Sequence, residues 1–296
     1  MVERLIQDSH PDLPSMTAIA TITLYNPNKE VDRIRIEIAK NSIQLATNLG
    51  YDVHIVDGGS PDEFLEYISS KGAHVYKQQG SSAGLVTRKA IQSAYDSGRE
   101  YIAWTELEKE SYIPKLYKTV EQILSKQVDL VVPRRKSMQS YPEFQQYSDK
   151  FGNVFWRAAT GTDLDVFFGP KTWRRDMSKY FLEYDGKYGN LWDATFVPLI
   201  YMLHDGKRIT SVEVDFDYPK KQREIEERDH NMYLKRLRQL VLLSTTIKEE
   251  CLESKVSGSD PQKLDIRITD SAPVDKKIES VDGRFTWKNI EQPAAF

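Results

Sequence analysis

Two carboxylates one residue apart are the first groups in this chain that suggest chemistry. Glu106 and Glu108 follow the mostly apolar stretch Tyr101-Ile-Ala-Trp-Thr105, and Lys109 and Glu110 come next. Such a stretch has either reached solvent, or it presents hard oxygen ligands to a divalent cation. Asp57 opens the sequence Asp-Gly-Gly-Ser. That is good turn chemistry, and it also places a carboxylate where a ligand N–H or hydroxyl could donate to it. Arg88 follows Gln78-Gln-Gly-Ser-Ser-Ala-Gly84. A helix N-terminus there offers free N–H groups to an anion, and Arg88 either joins them or faces water. Arg134, in Pro133-Arg-Arg-Lys136, closes another apolar run and meets an anion or solvent.

Later in the chain, Asp193 lies in Asn190-Leu-Trp-Asp-Ala-Thr-Phe196, in what reads as a first helical turn. An acid is favourable there whatever else it does. Asp163 and Asp165 compete with it for a role on the acceptor side. His230 stands alone in an acidic context, and a lone histidine is more often a surface or core residue than a ligand.

The elements that position these groups follow from pattern. β-Branched and aliphatic runs predict strands at 18–24, 53–56, 73–78, 101–105 and 129–133. Helical spacing predicts helices at 31–49, 61–72, 85–95 and 114–127. Alternating strands and helices argue for an α/β fold, a mostly parallel sheet with helices on both faces. Ligands of such sheets sit beyond the C-terminal ends of the strands. The loops Tyr25–Asn28, Asp57–Asp62, 78–84, Thr105–Glu110 and Pro133–Lys136 should therefore gather on one edge.

The second half is less regular. It predicts helix over 141–160, a short strand within 163–173, helix over 191–206 and strand over 208–218. One long helix is expected over 224–250, its apolar stripe (Tyr233, Leu237, Leu240, Val241, Ile247) serving the core, a partner or a second copy of the chain. Residues 1–16 read as a polar lead and 17–250 as one catalytic domain, with halves at about 17–135 and 136–250. Residues 251–296 read as a linker and tail, with weak strand signals at 264–268 and 283–287.

Composition limits the partners. A formal net charge of -3 over 296 residues gives no electrostatic case for nucleic acid. The one cysteine, Cys251, follows Glu249 and Glu250, which disfavour a thiolate and suggest a passive thiol. The longest apolar patches, such as Phe196–Leu203, fall well short of the ~20 residues of a membrane span. The N-terminus has no apolar leader, so a cytoplasmic location is expected.

Leu24-Tyr25-Asn26 after the first strand, Val56-Asp57-Gly-Gly-Ser60 after the second, a Gly/Ser loop opening a helix, and Trp104-Thr-Glu-Leu-Glu108 after the fourth come in a telling order. Together, over about residues 17–220, they resemble the family-2 glycosyltransferases of the GT-A fold. The resemblance implies transfer of a sugar from a UDP- or GDP-sugar donor to an acceptor hydroxyl, by an inverting course. It implies that Tyr25, Asn26 and Asp57 hold the nucleoside, with Arg88 and Arg134 near the phosphates. Glu106 and Glu108 take the place of the family's Asp-x-Asp, which binds Mg²⁺ or Mn²⁺ on the diphosphate; both are one methylene longer here. Asp193 falls where a general base would activate the acceptor, although Trp192 replaces a second acid. His230 matches a late histidine that some GT-A proteins place on metal or phosphate. Tyr218, Lys220, Lys221 and Arg223 could form a lid.

Two other readings stand beside this one. A nucleotidyltransferase would carry a Gly-rich basic first loop, which Tyr25–Glu30 lacks. A binding or scaffold protein on a degenerate GT-A fold would accommodate the Glu-for-Asp change. The aromatic cluster Tyr141, Phe144, Tyr147, Phe151, Phe155 and Trp156 could stack on a sugar or fill a core.

Overall fold

A computed structural model describes residues 12–78 and 82–253. Strand β1 (Thr17–Thr23) is a β-branched run buried almost throughout, as a central strand of a covered sheet must be. It is followed by α1 (Glu30–Asn48), β2 (Asp52–Asp57), α2 (Asp62–Ser70), β3 (His74–Lys77), α3 (Ala83–Asp96) and β4 (Tyr101–Trp104). Then come α4 (Tyr117–Lys126), β5 (Leu130–Arg135), α5 (Glu143–Thr160), β6 (Lys171–Arg174) and the short α6 (Lys179–Leu182). The described chain ends with α7 (Asp193–His204), β7 (Ile209–Val214), α8 (Lys220–Glu226) and α9 (His230–Ile247).

The seven strands form one sheet in the order β3-β2-β1-β4-β6-β5-β7. Every neighbouring pair is parallel except those made by β6, which runs antiparallel to β4 and β5. The alternating pattern of residues 17–135 thus becomes a mostly parallel sheet, but β5 does not lie beside β4. The four-residue β6 comes between them, and a strand that short carries too little periodicity to announce its place.

Three further boundaries differ from expectation. The helix predicted over 224–250 is two helices, because the side chain of Asp229 accepts the Asn231 N–H at 2.9 Å and starts α9 afresh. The strand predicted to 218 stops at Val214. The helix predicted over 114–127 begins as a 3-10 turn, Glu110–Lys115, around Pro114. The strand signals at 264–268 and 283–287 lie outside the described residues, with most of the linker and tail. Among the described residues, no helix is long and apolar enough to cross a membrane.

Apolar side chains cover both faces of the sheet. On one face Ile19, Val53, Ile55 and Val131 pack under α1, α2 and α4. On the other, Ala20, Val56, Ile102, Leu130 and Trp173 meet α3, α5 and α7. The aromatic cluster of α5 divides: Tyr141 and Trp156 are buried, whereas Tyr147, Phe151 and Phe155 stay exposed. The stripe of α9 divides too, with Leu243 and Ile247 buried and Tyr233, Leu237 and Val241 exposed. An apolar groove of about 630 Å³ lies between α5 and α9, with Arg236 at its wall.

Within this packing sits a buried ionic cluster. Arg135, at the end of β5, donates to Asp165 through Nε (2.8 Å) and Nη2 (2.7 Å), and to Asp149 of α5 through Nη1 (2.9 Å). All three side chains are essentially without exposed surface. Asn153 adds a bond to Asp165, and the guanidinium lies over the Tyr141 and Phe168 rings. Burial alone would raise the Asp165 pKa, but the charge and hydrogen bonds of Arg135 hold it below the ordinary carboxylate range. A depressed folded pKa gives stability that is complete above the unfolded value near ~3.9 and lost as pH falls through the folded one. Asp165→Asn should cost roughly 3–5 kcal/mol at neutral pH, because it leaves a buried guanidinium short of charge. The gap should narrow on acidification, as the wild type loses its own contribution. Urea denaturation of both proteins from pH 7 down to pH 3 measures this, and an equal gap at all pH values would refute it.

Candidate functional site

The C-terminal ends of β1, β2 and β4 are tied together by Tyr25. Its backbone N–H donates to Ser60 Oγ at 3.0 Å, and its hydroxyl donates to Glu108 Oε1 at 3.0 Å. Its ring meets the edge of Phe64 at 5.4 Å. Burial first, and then the Glu108 charge, push the phenol pKa well up, so it remains a donor. Asp57, 1% exposed, accepts from Thr23 Oγ1 (2.7 Å) and from the N–H groups of Gly59 (2.8 Å) and Ser60 (2.9 Å). The carboxylate therefore builds the turn that Tyr25 leans on. Asn26 is exposed in the next turn, where its Oδ1 accepts the Asn28 N–H.

Glu106 and Glu108 leave the β4 turn toward different surroundings. The Glu106 carboxylate packs on Gly169, where any Cβ would come within 2.5 Å of Oε1. Gly169 also has φ +101°, so glycine is required there for two reasons. Glu106 Oε2 is buried without a hydrogen-bond partner; the nearest cation is Lys109 Nζ at 3.8 Å. Lys109 in turn lies over the Phe168 and Phe216 rings, 5.1 and 5.5 Å from their centroids. Below them Lys171, 0% exposed, donates to the Gly169 carbonyl at 2.7 Å. Desolvation pulls its pKa down to about 8, and the Glu106 charge opposes that shift.

Around Glu108 the cleft is cationic. Arg35 of α1 reaches Glu226 of α8 at 2.6 Å and Asp32 at 3.2 Å, within the field of Glu108. Lys235 of α9 is an exposed residue near Arg236, Arg35, Glu226 and Glu108. Tyr218 and Gln222 both bond Glu226, so the expected lid segment is anchored at this point. Lys220 and Lys221 are exposed, and Arg223 donates to the Gln139 carbonyl at 3.1 Å. Arg35, Lys109, Lys171, Lys235, Arg236 and Glu226 were not singled out by sequence. Only the spacing of Lys109 from Glu106 hinted at the site.

The remaining expected residues are committed elsewhere. Arg88 donates to Asn190 Oδ1 at 2.7 Å, and Asn190 also bonds Ser82 and Gly84. Asp193 is 0% exposed and accepts from Tyr184 OH (2.6 Å), Leu191 N–H (2.5 Å) and Asn190 N–H (3.3 Å). It holds the 184–192 loop and presents no surface to an acceptor, contrary to the role expected of it. Arg134 pairs with the exposed Asp163, whereas Asp165 is buried and locked on Arg135, which leaves it no surface for an acceptor. His230 is exposed at the start of α9, its ring 6.4 Å from that of Tyr233. Among the described residues, no trio of potential ligands joins His230 to either glutamate; the trio that does converge is Asp52, His54 and His74. His230 thus stands apart from the two glutamates expected with it. Two carboxylates, one with an orphaned oxygen, suit Mg²⁺ or Mn²⁺ completed by phosphate oxygens and water.

No protein-family model matches the sequence, and no curated protein matches it. Solved structures do. Glucosyl-3-phosphoglycerate synthase from Mycobacterium tuberculosis in complex with phosphoglyceric acid superposes with a TM-score of 0.56 at 11% identity, covering 85% of this chain and 84% of that one. The same synthase in complex with Mg²⁺ and uridine-diphosphate gives 0.56 at 12% identity, covering 85% and 83%. Its complex with Mn²⁺, uridine-diphosphate and glucosyl-3-phosphoglycerate gives 0.55 at 10% identity, covering 85% and 84%. The chain therefore has the GT-A-like α/β fold that its motifs resemble.

The buried Lys171 generates a test. Its folded pKa near 8 lies below an unfolded value near ~10.4, so the unfolded chain holds the proton more tightly. Wild-type stability should rise between pH 8 and pH 10 through this group, by roughly 1.36 kcal/mol per unit of pKa difference at most. Lys171→Met should lack that rise. Guanidinium denaturation at the two pH values measures it, and the same rise in both proteins would refute it.

Proposed function

We propose that the protein is a glycosyltransferase that takes a sugar from a nucleotide-diphosphate donor, UDP-linked in preference to GDP-linked, and passes it to an acceptor hydroxyl. The observation that carries this reading is the Tyr25–Glu108 contact. It joins the nucleoside-side turn of β1 and β2 to the carboxylate pair after β4, on the sheet edge where α/β folds bind ligands. The fold is shared with a synthase whose structures contain uridine-diphosphate with Mg²⁺ or Mn²⁺, which supports the choice of donor.

In this reading Tyr25 and the Asp57–Ser60 turn shape the nucleoside pocket, with Asn26 at its exposed rim. Glu106 and Glu108 would hold Mg²⁺ or Mn²⁺, and the ion would supply positive charge to offset that of the diphosphate. Arg35, Lys235 and Arg236 add fixed positive charge around the leaving group, worth most where water is excluded. Arg88 orients the Asn190 loop that closes over α3. As the anomeric carbon–oxygen bond breaks, its electron pair departs with the β-phosphate oxygen. The acceptor oxygen forms the new bond, and its proton passes to a base in the cleft or to the departing β-phosphate oxygen.

Inversion, as the motif resemblance implies, needs a base behind the acceptor hydroxyl. Asp193 is committed to its loop, so either that base comes from another cleft residue or the course is retention. The anomeric configuration of the product distinguishes them. Arg134 and His230 lie outside the proposed donor site.

Calorimetric titration of UDP and GDP, each with and without Mn²⁺, tests the reading. UDP should bind more tightly with the metal, by about tenfold or more, and Glu106→Gln/Glu108→Gln should abolish that gain. Arg35→Met should weaken binding roughly ten- to a hundredfold, the range for a charge-assisted hydrogen bond. UDP binding indifferent to Mn²⁺ would remove the metal and leave the phosphates to the cations. Failure of both nucleotides to bind would overturn the proposal and favour a scaffold on this fold.

A further inference from the structure

Far from the cleft, at the N-terminal edge of β2 and β3, three side chains of metal-ligating type converge. Asp52 and His54 are alternate residues of β2, so their side chains leave the same face. His74 opens β3 and is the registered partner of His54 in that parallel pair. Strand geometry alone therefore brings the three together, and their ligand atoms lie within 4.8 Å of one another. Asp52 Oδ1 is the common point, 3.2 Å from His54 Nε2 and 3.1 Å from His74 Nε2. The two imidazoles stack with centroids 4.7 Å apart and planes 21° apart.

The groups behind these three are also in place. Arg99 Nε holds the other oxygen of Asp52 at 3.1 Å, and Arg99 Nη1 is anchored on the Ser15 carbonyl at 2.9 Å. Oδ1 is thereby turned toward the histidines. His54 Nδ1 lies 2.8 Å from Ser93 Oγ on α3. A ring bonded through Nδ1 directs Nε2 at whatever lies ahead of it, as metal-bound histidines commonly do.

One nitrogen in this array has no satisfactory partner. The His54 side chain is 5% exposed, and the one polar group facing its Nε2, Asp52 Oδ1 at 3.2 Å, lies outside good hydrogen-bond geometry. Leaving a buried ring nitrogen unsatisfied costs free energy, and such atoms call for an explanation. A cation between Nε2 and Oδ1 supplies one. Zinc bonds of about 2.0–2.1 Å at tetrahedral angles put adjacent ligand atoms about 3.3 Å apart. The observed 3.1 and 3.2 Å are close to that spacing. His74, 54% exposed, can turn to close the remaining gap.

We propose that Asp52, His54 and His74 form a site for Zn²⁺ or a similar borderline transition-metal ion, distinct from the donor site. Two imidazoles and one carboxylate select zinc, nickel or copper over Mg²⁺ and Mn²⁺. Water completes a tetrahedral shell. The five steps of β2 from Asp52 to Asp57 place the site about 16 Å from the nucleoside-side turn, so it takes no part in diphosphate departure. β3 is a four-residue edge strand with mostly exposed side chains, held in the sheet by β2 alone. An ion bridging His54 and His74 staples that edge strand to its neighbour.

Titration of the metal-stripped full chain with Co²⁺ and with Zn²⁺ tests the site, independently of whether the chain transfers a sugar. One equivalent of Co²⁺ should bind with the intense visible absorption of tetrahedral coordination, and Zn²⁺ should displace it. Zn²⁺ should also raise the thermal midpoint by several degrees. His74→Ala removes an exposed side chain, and circular dichroism checks that the variant folds. It should lose Zn²⁺ affinity by about a hundredfold and lose the thermal shift. Glu106→Gln/Glu108→Gln and His230→Ala should keep both. Absence of Co²⁺ and Zn²⁺ binding at micromolar concentrations, or unchanged binding in His74→Ala, overturns the proposal.

Discussion

A buried guanidinium cannot be left without counter-charge, and much of the second half of this protein is arranged around that constraint. Arg135 ends β5, Asp149 lies inside α5, and Asp165 sits in the connection that leads to β6. None of the three pairs locally in sequence, so their meeting fixes three separate segments against one another. Gly169, four residues after Asp165, forms the wall against which Glu106 rests. The register of β6 between β4 and β5 continues from the same turn. Such a cluster stabilises little compared with apolar packing, but losing one member is costly. It specifies an arrangement more than it strengthens one.

The cleft follows the same logic at lower burial. Three of the cleft carboxylates face cations: Glu106 meets Lys109 of its own turn and Lys171 of β6, and Glu108 and Glu226 lie near Arg35 of α1 and Lys235 of α9. Positive charge exceeds what the acids need, which suits a ligand that brings several negative oxygens. The depressed pKa of the buried Lys171 shows that bringing a cation in beside Glu106 carries a cost. Perturbed titratable groups of this kind cluster where a ligand compensates them.

The sheet was legible in the sequence because period-2 runs and turn residues do not depend on distant partners. β1 to β5, and the edge on which the ligand loops gather, follow from local pattern alone. The insertion of β6 does not, because four residues supply no period and their place depends on the Arg135 cluster. The break between α8 and α9 was written in Asp229, an N-cap residue within an otherwise continuous helical stripe. Tyr25, Glu106 and Glu108 were legible as a motif. Asp193 carried two readings, since an acid opening a helix suits both a catalytic base and a loop anchor, and its three internal bonds go to the loop. Arg35 and Lys171 were invisible for a plain reason: single basic residues on helices and strands look solvated until tertiary structure turns them inward.

The two edges of the sheet carry different kinds of order. At the C-terminal edge, loops longer than a tight turn bring side chains from β1, β2 and β4 into one cleft, where their partners are side chains of other elements. At the N-terminal edge, Asp52, His54 and His74 are placed by strand register, with no loop involved. Register is the more rigid constraint, because a shift of one residue would send His74 to the opposite face. Side chains fixed that way are poorly suited to a substrate that must enter and leave. They are well suited to a small ion that stays, and the unsatisfied nitrogen of His54 lies at the centre of that rigid frame.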